Sequence, residues 1–108
     1  MITRPRSRYI LVESSEPMDS KDVSTAHSLL SAVAKQVGES GYIELNPRLP
    51  FQYHSSTFIM KVNRGSERRA ILALSFIKEV NGKRLGLYTI KTSGTIRTLI
   101  EYCKRTYK

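Results

Sequence analysis

The chain has 108 residues and a mass of 12.3 kDa, with 18 Lys+Arg against 9 Asp+Glu, a formal net charge of +9 and a pI near 10.0. That length fits one domain with one core, and a composition 40% hydrophobic and 25% charged excludes wholesale disorder. The longest apolar run, Ala70 to Leu74, is too short for a membrane span, and the basic opening Met1-Ile2-Thr3-Arg4-Pro5-Arg6 lacks the apolar stretch of a signal peptide.

Taken in chain order, Arg8-Tyr9-Ile10-Leu11-Val12-Glu13 is rich in β-branched and aromatic residues and predicts a strand covered on at least one face. Pro17 interrupts, and Asp19 is the expected N-cap of a helix, with Asp22 in its first turn. Val23, Ala26, Leu30, Val33 and Val37 then form one apolar stripe at helical spacing, which Gly38 and Gly41 are expected to end. Residues 42–50 read as irregular, with Pro47 and Pro50 bracketing Arg48 and Leu49. Two strands follow, Pro50 to His54 and Thr57 to Arg64. In the second, Phe58, Met60 and Val62 alternate with Ile59, Lys61 and Asn63.

Ser66 is the expected cap of a second helix whose apolar set, Ala70 to Leu74 with Phe76, Ile77 and Val80, is too wide for one stripe. Such a helix is expected to be buried on two sides, so either the fold or a partner covers the second face. Asn81-Gly82 marks a turn, Arg84 to Lys91 a strand, and Thr92-Ser93-Gly94-Thr95 the opening of a last helix with Ile96, Leu99, Ile100, Cys103 and Tyr107 on its apolar side. The order β-α-β-β-α-β plus a helix predicts an α+β, ferredoxin-like sandwich with an additional C-terminal helix. A basic arm over residues 1–7 would precede a single domain over 8–108.

The charge is unevenly spread. Residues 1–9 hold Arg4, Arg6 and Arg8 without an acid, residues 10–56 hold three bases against six acids, and residues 57–108 hold twelve bases against three acids. A basic arm and a basic C-terminal half imply one basic face, and nucleic acid as its partner. Catalytic and metal sets fail by contrast. His27, His54 and Cys103 fall in no ligand spacing, the acids are dispersed, and no nucleophile–base set appears. Cys103 is the sole cysteine and lies in an apolar stripe, so it reads as a core residue of a protein in a reducing, cytoplasmic setting. Phosphate-loop motifs are absent, but Ser93-Gly94-Thr95 before a helix is a place where backbone N–H groups can meet an anion. Tyr9, Phe58 and Tyr88 could stack bases, yet the signature of sheet-face RNA readers is missing and these aromatics read as core.

The basic arm running into Arg8-Tyr9-Ile10, then Arg64-Gly65 before Arg68-Arg69-Ala70-Ile71-Leu72-Ala73-Leu74, then Ser93-Gly94-Thr95-Ile96-Arg97, resembles one family: the archaeal and eukaryotic ribonuclease P protein component 2. The resemblance covers nearly the whole chain and is most specific at Ser93 to Arg97. It implies a subunit of the ribonucleoprotein that removes 5′ leaders from precursor tRNA, in which the RNA holds the catalytic magnesium ions and the protein binds no cofactor. It also implies a TIM-barrel-like protein partner, self-association within a heterotetramer, indirect contact with precursor tRNA, no membrane, and a cytoplasmic location (nuclear or nucleolar in a eukaryote). Arg4, Arg6, Arg8, Lys91, Ser93, Thr95, Arg97, Lys104 and Arg105 are the expected RNA contacts, with Arg68 and Arg69 of second rank. The exposed members of Ile71, Leu72, Leu74 and Phe76 are the expected partner surface. Two competing readings are a ferredoxin-like RNA-binding protein of another ribonucleoprotein, and a small-ligand regulatory domain that would leave the C-terminal charge unexplained. A self-contained nuclease ranks below both.

Overall fold

The computed structural model describes residues 7–107. Arg4 and Arg6, with the rest of the expected arm before Ser7, lie outside them. The elements run β1 (Ser7–Ser14), α1 (Val23–Leu45), β2 (Arg48–Tyr53), β3 (Thr57–Asn63), α2 (Glu67–Phe76), β4 (Glu79–Val80), β5 (Lys83–Arg84), β6 (Leu87–Ser93) and α3 (Ile96–Thr106). Four strands form one sheet in the order β2-β3-β1-β6, with every neighbouring pair antiparallel. This is the expected ferredoxin-like arrangement, in which the two central strands come from different halves of the chain. β4 and β5 make a separate small hairpin turning through Asn81 and Gly82, both at positive φ (53° and 80°), as a tight two-residue hairpin requires.

The alternation of side chains along the central strands decides what each face holds. Ile10 and Val12 share a face with Phe58, Met60 and Val62, and that face is buried beneath Leu29, Val33 and Leu45 of α1 and Ala70, Ala73 and Leu74 of α2. Leu11 and Ile59 point to the opposite face, where Leu99 and Cys103 of α3 seal them. The C-terminal helix therefore makes a third layer, and β1 and β3 are buried on both sides. Where β1 meets β6 the register slips between Leu11↔Lys91 and Val12↔Thr89, leaving Ile90 as the extra residue of a bulge.

Several local expectations are corrected. Asp22, not Asp19, caps α1: its carboxylate accepts from the Thr25 N–H at 3.0 Å, while Asp19 accepts from the Lys21 N–H in the preceding turn. The buried line of α1 runs through Leu29 and Val33. At about 100° per residue that line leaves Leu30 roughly 80° and Val23 roughly 100° off axis, and Val23 is 83% exposed. Gly38 does break the helix, at φ 79°, but helix resumes to Leu45 and stops at Asn46, whose N–H closes the last turn on the Tyr42 carbonyl and whose own left-handed conformation then turns the chain away. Residues 42–45 are thus helical, and β2 starts earlier than Pro50. α2 ends at Phe76, so Val80 is buried from the β4–β5 hairpin instead of from the helix. Arg84 likewise belongs to the hairpin, and the last sheet strand begins at Leu87.

Candidate nucleic-acid interface

α3 follows β6 after a two-residue turn and lies back across the sheet. Thr95 caps it, with Oγ1 accepting from the Thr98 N–H at 3.4 Å and sharing a 2.8 Å hydrogen bond with the Thr98 hydroxyl. Ser93 Oγ accepts from the Thr95 N–H at 3.2 Å. The hydroxyls of this turn therefore build it, and their N–H-side neighbour Gly94 is exposed. With Leu99 and Cys103 buried, helical periodicity puts Arg97, Lys104 and Arg105 on the exposed surface. Lys104 and Arg105 occupy the last turn, where positive charge also suits the helix dipole. They stand about 14 Å along the axis from Thr95, given a rise of 1.5 Å per residue. Arg97 makes only a loose, exposed pair with Glu101 at 3.6 Å, so its guanidinium remains available to a phosphate. Lys91 projects from β6 on the α3 side, with its ammonium 5.5 Å from the centre of the Tyr102 ring.

The sheet adds residues that the sequence reading passed over. Register places Arg48, Lys61, Tyr9 and Ser93 in one row across all four strands, at the end where α3 begins. Lys61 is legible in principle, because alternation puts it on the face of Ile59, opposite Phe58 and Met60. Arg48 is not, since Pro47 and Pro50 on either side of it mask the early start of β2. The basic residues are thus Lys91, Arg97, Lys104 and Arg105 on and beside α3, with Lys61 and Arg48 in the strand row at the end where that helix begins.

Arg8 belongs to a different environment. It lies one residue from Tyr9 and so on the opposite side of β1, half-buried, with Nε 3.3 Å from Glu67 Oε2. The atoms are close enough for an ion pair but not aligned for a hydrogen bond, and Arg8 Nε has no other acceptor among the described residues. Glu67 also accepts from the Gly65 N–H. Its own backbone N–H, then that of Gly65 and the charges of Arg8 and Arg64, hold its carboxyl below the usual carboxylate range against the opposing effect of burial.

Tyr9, Phe51, Tyr53, Tyr102 and Tyr107 rim the small cluster under α3. The Tyr53 hydroxyl donates to the Tyr107 carbonyl at 3.0 Å and pins the end of the helix to β2. Burial, and next the nearby Glu13 carboxylate, push the Tyr107 hydroxyl up to about 12. Phe58 is fully buried under α1 and α2, as expected, and Tyr88 is the exposed member of the three candidate stacking aromatics. The sheet face on which bases would stack is occupied by α3. Burial raises the Cys103 thiol, which makes it a core group and a poor nucleophile. His27 and His54 are exposed, and among the described residues no three His, Cys, Asp or Glu side chains cluster to hold a metal ion. No described helix is long and apolar enough to cross a membrane.

On the far side of the molecule, α1 and α2 border a groove of about 400 Å³ lined by Gln36, Val37, Gly41, Arg69, Leu72 and Phe76 among others. Leu72 and Phe76 are 58% and 59% exposed. Ile71 is half-buried against the core, and Leu74 is corrected: at 1% exposure it faces the sheet and has no surface to offer a partner.

Residues 8–104 match the Rpp14/Pop5 family, a family of ribonuclease P/MRP protein subunits. No curated protein sequence matches the chain. Among solved structures, a chain in the cryo-EM structure of yeast ribonuclease MRP is similar, with a TM-score of 0.58 and 13% identity over 97% of this chain and 96% of that one. At that identity the likeness speaks to the fold.

Proposed function

The chain belongs to the Rpp14/Pop5 family and is a protein subunit of ribonuclease P/MRP, and from that premise we propose that it acts in the removal of 5′ leaders from precursor tRNA as a small component 2 type subunit. It binds the catalytic domain of the RNA through the outer surface of α3 and the strand residues beside it. The observation that carries this reading is the third layer: a helix seated on the sheet by Leu99 and Cys103 and turning Arg97, Lys104 and Arg105 outward next to Lys91 and Lys61.

Lysine and arginine there neutralise phosphates that the folded RNA brings close together, lowering its demand for magnesium, which the RNA itself holds. Such contacts read backbone and shape, not sequence. A TIM-barrel-like protein subunit is the proposed occupant of the α1–α2 groove at Leu72 and Phe76, within an assembly that contains two copies of each. Reconstitution tests the whole reading. Ribonuclease P RNA with both proteins should cleave precursor tRNA at lower magnesium than RNA alone, and omission of this chain should abolish the gain. Equal cleavage with and without it would refute the proposal.

A further inference from the structure

At the end of the sheet where β1 begins, three segments remote in sequence converge on one hollow of about 420 Å³. Ser7, Arg8 and Tyr9 of β1, Arg64 of the β3–α2 turn and Gly94 of the β6–α3 turn line it. Two of these five residues carry guanidinium groups. Arg8 meets Glu67 through Nε, at 3.3 Å. Its Nη1 instead lies beside Gly94, 3.4 Å from where a Cβ would stand. A guanidinium has separate edges, so the carboxylate can attract the Nε side as an ion pair while the two Nη groups meet a ligand in a forked, two-oxygen contact. Arg64 is exposed, reaches the same hollow, and stands near enough to Glu67 to help keep it ionised. A Cβ at position 94 would stand in van der Waals contact with the Arg8 fork.

We propose that this hollow seats one phosphate group of the RNA, with Arg8 and Arg64 on its oxygens, Gly94 leaving room for close approach, and Glu67 as a positioning residue that aims the Arg8 fork. The inference rests on the reading of the chain as an RNA-binding subunit, and extends it to a discrete site separate from the α3 surface. It also separates geometry from charge at Glu67. Removing a negative charge would tighten phosphate binding if only Coulomb attraction mattered, whereas loss of aim weakens it.

Two probes test it on the full chain. Inorganic phosphate, titrated against the protein alone, should shift the Gly94 and Arg8 amide resonances in the wild type and leave them unmoved in Arg64→Ala. Ribonuclease P RNA, bound across a salt series, should lose about tenfold in affinity for Arg64→Ala, with a slope of log K against log salt shallower by about 1, as for one lost phosphate contact. Glu67→Gln, which keeps an acceptor for the Gly65 N–H, and Gly94→Ala should also weaken binding. Unchanged thermal unfolding in Arg64→Ala would exclude misfolding as the cause. Wild-type RNA affinity in Arg64→Ala and Gly94→Ala, alongside weakened binding in Arg97→Ala, would overturn the seat and leave the RNA reading standing. Tighter binding by Glu67→Gln would overturn its positioning role. Phosphate-induced shifts in a wild-type chain that binds no RNA would overturn the RNA as the source of the phosphate.

Discussion

Among the described residues, one cluster of sixteen is buried between the sheet and α1 and α2, including Ile10, Phe58, Met60 and Leu74, whereas four are buried between the sheet and α3: Leu11, Ile59, Leu99 and Cys103. The outward surfaces differ in the opposite sense. α2 shows Leu72 and Phe76 above the deep core, and α3 shows Arg97, Lys104 and Arg105 above the shallow one. The thick layer supplies stability and exposes Leu72 and Phe76 among charged residues such as Arg68 and Arg69, while the thin layer is an attachment whose outer side carries charge. A helix held by so few buried residues can change its exterior with little effect on the fold, which is what a phosphate-binding surface requires.

The largest expected effect breaks the thick side. Phe58→Ala should cost about 3–5 kcal/mol of unfolding free energy, measured by urea denaturation, because a fully buried ring leaves a cavity between sheet and helices. Leu99→Ala on the thin side should cost about 2–3 kcal/mol, since a helix packed over few residues can settle into the space left. Equal losses would remove the contrast in depth.

A smaller effect on stability but a clear one on binding is expected from Lys91→Ala combined with Arg97→Ala. Both side chains are exposed, so unfolding should move by no more than about 0.5 kcal/mol. The salt slope of RNA binding should become shallower by about 2, and an unchanged slope would count against this surface.

The smallest effect lies at the end of α3. The Tyr107 hydroxyl titrates at about 12 in the folded chain, above its ordinary value near about 10. A raised folded value means the contribution is whole below pH 10 and is lost as pH rises through 12. Thermal unfolding of Tyr107→Phe should therefore fall less steeply than that of the wild type between pH 10 and pH 12. Parallel curves would show that Tyr107 ionises freely.

Much of this arrangement is legible from the sequence because strand alternation and helix periodicity depend on local geometry. Phe58, Met60 and Val62 reveal one face of β3, and Leu99 with Cys103 reveal the buried side of α3. Residues whose place depends on tertiary context are less legible. Ile59 reads as the solvent side of a half-buried strand until α3 is seen to cover it. Gly38 reads as a stop, yet packing continues the helix to Leu45. Lys61 and Arg48 join Ser93 only through cross-strand register, which the chain does not announce in any local pattern. Leu74 differs from Leu72 by two positions on a helix apolar all round, so sequence alone does not say which one the sheet takes.

Covalent labelling of lysine in the chain, free and bound to ribonuclease P RNA, tests the two-sided account most directly. Lys61, Lys91 and Lys104 should be protected by the RNA, while Lys35 on α1 and Lys78 just beyond α2 should label as in the free protein. Protection of Lys35 and Lys78 with Lys91 and Lys104 still reactive would contradict it.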